Sequence, residues 1–100
     1  MRIVCDSGST KADWIVYDQK DEIFTSTTRG INPVFHNKAF IHKELEKELV
    51  KEVACQEIEK IYFYGAGCWD ERLKSVISGA LSEVFPNTEI DVHFFALLFE

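Results

Sequence analysis

One six-residue stretch, Asp6-Ser7-Gly8-Ser9-Thr10-Lys11, gathers a carboxylate, a glycine, hydroxyls and an amine into a single turn-forming run. Gly8 removes the Cβ that would keep an anion away from the peptide N–H groups, and consecutive N–H groups in such a turn form an anion-binding concavity. Ser9 and Thr10 add hydroxyl donors, and Lys11 adds a cation matched to phosphate. Asp6 would repel a phosphate unless a cation stood between them. Its oxygens suit Mg²⁺, which prefers oxygen ligands and keeps several waters. Asp6 as the metal-holding acid, with Gly8, Ser9, Thr10 and Lys11 as a phosphate loop, is a coherent Mg²⁺-nucleotide site. The same residues also compose an ordinary polar hairpin turn. The run is not a Walker A loop, because no GxxxxGK precedes it and the lysine follows the hydroxyls.

The flanking elements must position this turn. Arg2–Cys5 is a short apolar strand, and Ala12–Tyr17 alternates Ala12, Trp14 and Val16 against Asp13, Ile15 and Tyr17, the period of a second strand. Glu22–Thr28 is rich in β-branched residues and reads as a third. A loop at Arg29-Gly30-Ile31-Asn32-Pro33 ends the meander. From about Asn37 to Glu57, Ile41, Leu45, Leu49 and Val53 recur every four residues, which predicts an amphipathic helix with Lys and Glu, including Glu44 and Glu48, on its exposed side. Ile61–Tyr64 is a continuous apolar run expected of a strand covered on both faces, and Gly65-Ala66-Gly67 ends it. Asp70 is placed to cap a second helix with an apolar stripe of Leu73, Val76, Ile77, Ala80, Leu81 and Val84. Pro86-Asn87 stops that helix, and Glu89–Val92 opens a last strand. The order β-β-β-α-β-α-β predicts an α/β fold with a mixed sheet and helices on its faces, the layout of the ribonuclease-H-like core.

Composition narrows the partners. The 100 residues carry 11 Lys and Arg against 17 Asp and Glu, a net charge of −6, without basic clusters, so nucleic acid and anionic membranes are poor partners. No stretch is long and apolar enough to span a membrane. The opening Met1–Asp6 meets a carboxylate too early for a secretory signal, and three cysteines without a CxxC pair suit reduced thiols in a cytoplasm. Cys5 and Cys55 read as core residues, as do Trp14 and Trp69, while Cys68 could line the cleft without being marked as a nucleophile. Arg29 and His36 read as surface residues beside the Asn32 loop, and His42 and His93 lack metal-ligand spacing. A nuclease on the same core would need a second acid near Asp6; the fourth strand supplies none, and Asp70 is the nearest candidate.

Asp-Ser-Gly-Ser-Thr-Lys-Ala-Asp-Trp, then Gly-Ile-Asn-Pro, then Tyr-Gly-Ala-Gly-Cys, resembles the start of the BadF/BadG/BcrA/BcrD ATPase family, in particular its N-acetylglucosamine-kinase-like members within the actin/hexokinase/Hsp70 superfamily. The likeness runs to about Val92. It implies one lobe of a two-domain enzyme, phosphoryl transfer from Mg²⁺-ATP to a sugar hydroxyl, and an amino sugar as acceptor. By that resemblance Asp6 is the Mg²⁺-associated acid, Gly8, Ser9, Thr10 and Lys11 form the first ATP phosphate loop, and Asn32 contacts the sugar. Gly65 and Gly67 would line the substrate side of the same edge, although a tight strand-to-helix turn explains them equally.

The chain also departs from that pattern. Kinase-like relatives carry a catalytic Asp just after the last strand of this lobe; here Phe95 falls about there, and no catalytic base is found. Asp91 lies earlier, within the strand. Phe94–Phe99 is a run of six apolar residues, which raises two expectations. One is a chain truncated or frame-shifted near residues 93–100, so that residues 1–100 form a single N-terminal lobe without its second lobe and without turnover. The other is a homodimer through that apolar end. A non-catalytic nucleotide-binding or assembly domain, or an ATPase coupled to another reaction, are the alternatives to a sugar kinase.

Overall fold

The computed structural model describes residues 1–19, 21–51, 53 and 55–94. Five strands, β1 (Arg2–Ser7), β2 (Lys11–Asp18), β3 (Asp21–Arg29), β4 (Lys60–Gly65) and β5 (Glu89–Phe94), form one sheet in the order β3-β2-β1-β4-β5, with helices α1 (Lys38–Glu48) and α2 (Glu71–Val84). The first three strands pair antiparallel as a meander, and β4 and β5 add in parallel to β1. This is the mixed α/β arrangement that the order of elements predicts.

The helices do not divide between the two faces. Ladder partners across the sheet, such as Ile3 with Val16 and Ile61, and Cys5 with Trp14 and Phe63, point the same way. These side chains form one buried core with Ile41, Leu45 and Leu49 on one helix side and Ile77, Ala80 and Leu81 on the other. The topology explains this. The crossovers β3-α1-β4 and β4-α2-β5 both step toward the β5 edge, so a common right-handedness puts both helices on one side. The opposite face, carrying Val4, Asp6, Asp13, Ile15, Tyr62 and Tyr64, is covered by neither helix. β4 is therefore buried on one face only: Ile61 and Phe63 are fully enclosed, while Tyr62 and Tyr64 are half-exposed.

Trp14 sits at the centre of the core, tilted against Phe63 at 6.0 Å between ring centroids, with Nε1 donating to Thr28 Oγ1 at 3.0 Å. An enclosed indole of this kind contributes about 3–5 kcal/mol relative to alanine, and the threonine satisfies its single donor.

α1 begins where the sequence places it, with Asn37 Oδ1 accepting from the Phe40 N–H at 3.0 Å, but it ends at Glu48 instead of reaching Glu57. A helix over that whole stretch would be about 30 Å long, equal to the longest dimension of the lobe, 30 Å. It would also leave no chain to turn back toward Lys60. The Leu49 and Val50 N–H groups instead share the Leu45 carbonyl, and a 3-10 turn at Cys55–Glu57 follows. Leu49, Val53 and Ile58 still bury, closing the base of the core. α2 starts at Asp70, whose Oδ1 accepts from the Leu73 N–H at 2.8 Å. Among the described residues, no helix is long and apolar enough to cross a membrane.

Candidate functional site

β1, β3, β4 and β5 all run the same way, so their C-terminal ends, and the loops that follow, fall on one edge of the sheet, where ligands of open α/β sheets bind. Three stretches singled out in the sequence meet there: the turn after β1, the Gly30–Pro33 loop after β3 and the Gly65–Cys68 loop after β4.

Ser7 joins them. It is fully buried, and its hydroxyl donates to the Ile31 carbonyl at 2.9 Å while accepting from the Ile31 N–H at 2.8 Å. Its own carbonyl accepts from the Ala66 N–H at 3.2 Å. The Gly30 N–H donates to the Thr10 carbonyl at 3.0 Å, and a Cβ on Gly30 would lie 2.4 Å from the Gly8 carbonyl oxygen, so the second loop lies directly against the first turn. From the helix side Glu44 reaches in: it is buried, not exposed as the charge pattern predicts, and its Oε1 accepts from the Arg29 N–H at 3.1 Å. Nothing in the sequence marks Ser7 or Glu44, because both act through partners many residues away.

The first turn closes by donation from the Gly8 N–H to the Lys11 carbonyl at 2.9 Å. That donor is therefore spent inside the turn and does not join an anion-binding row. The amides of Ser9 and Thr10 make no hydrogen bond among the described residues, and both residues are exposed at the tip with their hydroxyls. A Cβ at Gly8 would meet only the Lys11 carbonyl oxygen, at an ordinary 3.6 Å. Neither packing nor backbone demands glycine at position 8, where a side chain would have room. Lys11 extends along the uncovered face, its Nζ 3.8 Å from Asp13 Oδ2. Asp6, on that same face, makes no hydrogen bond or ion pair among the described residues, and no cluster of three or more His, Cys, Asp or Glu forms there. One free carboxylate suits Mg²⁺, which takes most of its ligands from water and phosphate.

Asn32 Oδ1 accepts from the Val34 N–H at 2.9 Å, which shapes the loop, and Asn32 Nδ2 makes no hydrogen bond among the described residues. Gly67 lies against it. Its φ of +82° belongs to the left-handed region, and a Cβ would fall 2.1 Å from Asn32 Oδ1. Asn32 and Gly67 are thus brought together, while Gly65 is not part of this contact: it faces the core, where a Cβ would lie 2.4 Å from the Phe63 ring.

Of the other expectations, some are corrected and some hold. Trp69 is 59% exposed and meets Phe94 edge-on at 6.1 Å, outside the core. His36 is half-buried and engaged with Asn32 and Phe40. Cys68 is enclosed, and burial pushes its thiol up to about 11, which removes it from nucleophilic chemistry. Asp70 is occupied as the cap of α2, and Asp91 is paired with Lys60 at 2.9 Å, so neither supplies a second metal-binding acid beside Asp6. Phe95, the position of the expected catalytic acid, and most of the apolar end proposed for dimerisation lie outside the described residues.

No protein-family model matches the chain, and no curated protein matches it. Among solved structures it is similar to a protein of Porphyromonas gingivalis provisionally named an N-acetylglucosamine kinase: 31% identical, TM-score 0.85, covering 94% of this chain. The chain spans 34% of the length of that protein. The fold is that of a kinase-like lobe of the actin-like ATPases.

Proposed function

We propose that this chain is the ATP-phosphate-binding lobe of a sugar kinase of N-acetylglucosamine type. The observation that carries this reading is the convergence on one sheet edge of a hydroxyl- and lysine-bearing turn, a free carboxylate and the Asn32–Gly67 contact. The likeness to the Porphyromonas gingivalis protein over nearly all of this chain supports it.

Bound Mg²⁺-ATP would supply the phosphoryl group for transfer to a sugar hydroxyl. The Ser9 and Thr10 amides and hydroxyls donate to phosphate oxygens, and Lys11 offsets their charge. Asp6 holds the metal directly or through water. Asn32 Nδ2 donates to a sugar hydroxyl and orients it. Each of these groups binds or orients a reactant, and the expected behaviour of the lobe by itself is weak nucleotide binding without turnover.

Calorimetry on the full chain, with Mg²⁺-ATP and with N-acetylglucosamine in separate runs, tests this. Binding of both supports the kinase reading. Nucleotide without sugar reduces the chain to a nucleotide-binding or assembly module, and phosphorylation of the sugar by this chain alone would overturn the need for a second lobe.

A further inference from the structure

His36 closes the Asn32 loop from below. Its Nδ1 accepts from the Asn32 N–H at 3.0 Å, while the Phe35 and His36 N–H groups donate to the Asn32 carbonyl at 3.0 and 2.8 Å. The ring stacks on Phe40 at 3.9 Å with an 8° tilt, and the Arg29 guanidinium lies 5.2 Å from the same Phe40 centroid. A hollow of about 380 Å³ opens beside the loop, lined by Val34, Phe35, His36, Lys38 and, from α2, Val76.

We infer that His36 is the positioning residue for Asn32, and that its neutral imidazole holds the loop in the shape that presents Asn32 to a ligand. An amide N–H can only donate, so the Nδ1 facing it must offer a lone pair, which fixes the ring proton on Nε2. Protonation would set an N–H on Nδ1 against the N–H of Asn32, two donors with no acceptor between them. The charged groups nearby are cations: Arg29 of β3 lies over the Phe40 ring and Lys38 of α1 lines the adjoining hollow, while α2 presents the uncharged Val76. Among the described residues His36 makes no ion pair with a carboxylate that would reward its charge. Since a second ring proton would turn Nδ1 from acceptor into donor, sugar binding by Asn32 becomes proton-sensitive. This consequence rests on the reading of Asn32 as the sugar contact; the clamp itself does not.

The test is a nuclear magnetic resonance titration of the full ¹⁵N,¹³C-labelled chain between about pH 8 and 5, following the Asn32 amide proton and the His36 ring carbons, with N-acetylglucosamine added at each extreme. The Asn32 amide should shift with the same midpoint as the His36 ring, and sugar affinity should fall about tenfold at the acid end, the loss expected for one hydrogen bond. His36→Asn, which keeps a non-titrating acceptor near the Nδ1 position, should bind at both extremes alike. His36→Phe, which keeps the stack but loses the acceptor, should bind weakly at both, with thermal unfolding showing that it is folded. An Asn32 amide indifferent to His36 titration, or a folded His36→Phe that binds like the parent at pH 8, overturns the inference. Sugar failing to bind at any pH, with the amide still coupled to the ring, sinks the reading of Asn32 and leaves the clamp standing.

Discussion

Asp6 and Asp13 stand directly opposite each other in the β1–β2 ladder, two carboxylates on the uncovered face of the sheet. Asp13 is relieved by Thr27, whose hydroxyl donates to it at 3.1 Å, and by Lys11 at 3.8 Å. Asp6 has no such partner among the described residues. Like charges opposed across strands destabilise a sheet by a few tenths to about 1 kcal/mol, a cost that a cation held at Asp6 would remove.

Asp6→Asn should accordingly stabilise the ligand-free chain slightly, raising its melting temperature by about 1–5 °C. The same variant should lose the further rise that Mg²⁺ with ATP gives the parent. Thermal unfolding with and without Mg²⁺-ATP checks both. A variant that gains no stability and still responds fully to the nucleotide would remove Asp6 from the metal site.

Ser7→Ala deletes one hydroxyl but strands two buried groups, the N–H and the carbonyl of Ile31. The expected loss is about 2–4 kcal/mol, read as a lower midpoint in urea unfolding. A loss below about 0.5 kcal/mol would mean that the loops hold together without it.

Two glycines of the loop edge, Gly8 and Gly67, should respond differently. Gly8→Ala has room for its Cβ and should change stability by less than about 0.5 kcal/mol while weakening Mg²⁺-ATP binding in calorimetry. Gly67→Ala must hold a left-handed backbone and displace Asn32, and should cost about 1–3 kcal/mol. Equal stability losses at both positions would argue against open space at Gly8.

The Cys68 thiol gives a pH signature. Burial raises it from its ordinary value of 9.0 to about 11. Between these values the unfolded chain releases a proton that the folded chain keeps, so this contribution to stability is intact below about pH 9 and lost as pH rises toward 11. Cys68→Ala should flatten that part of the alkaline stability curve in urea titrations. In the parent, alkylation of Cys68 at pH 8 should await unfolding; rapid labelling of the native chain would contradict its enclosure.

Much of the fold was written locally. The alternation of Ala12, Trp14 and Val16 against Asp13 and Ile15 marked β2, and Asp70 ahead of an apolar stripe marked the start of α2. Short-range patterns of this kind need no knowledge of the rest of the chain. The features that escaped were those decided at a distance. The single covered face follows from the handedness of two crossovers, the early end of α1 from the room available beneath the sheet, and the burial of Glu44 from a partner fifteen residues back in β3. The site shows the same division. The turn after β1 announced itself by residue type, whereas Ser7 and His36, which hold the loops, look like ordinary polar residues until their partners are in place.

Asp6 and Ser7 are chain neighbours on opposite sides of the pleat, one turned to solvent and one sealed against Ile31. A strand has a side-chain period of two, so inserting or deleting one residue within Arg2–Cys5 while the ladder keeps its place would exchange them, driving an acid into the interior and a hydroxyl out to water. The length of that first strand is therefore fixed from both sides at once. Natural relatives should vary freely at the outer positions ahead of Asp6, those of Arg2 and Val4, and hardly at all in the residue count between the start of the ladder and Asp6.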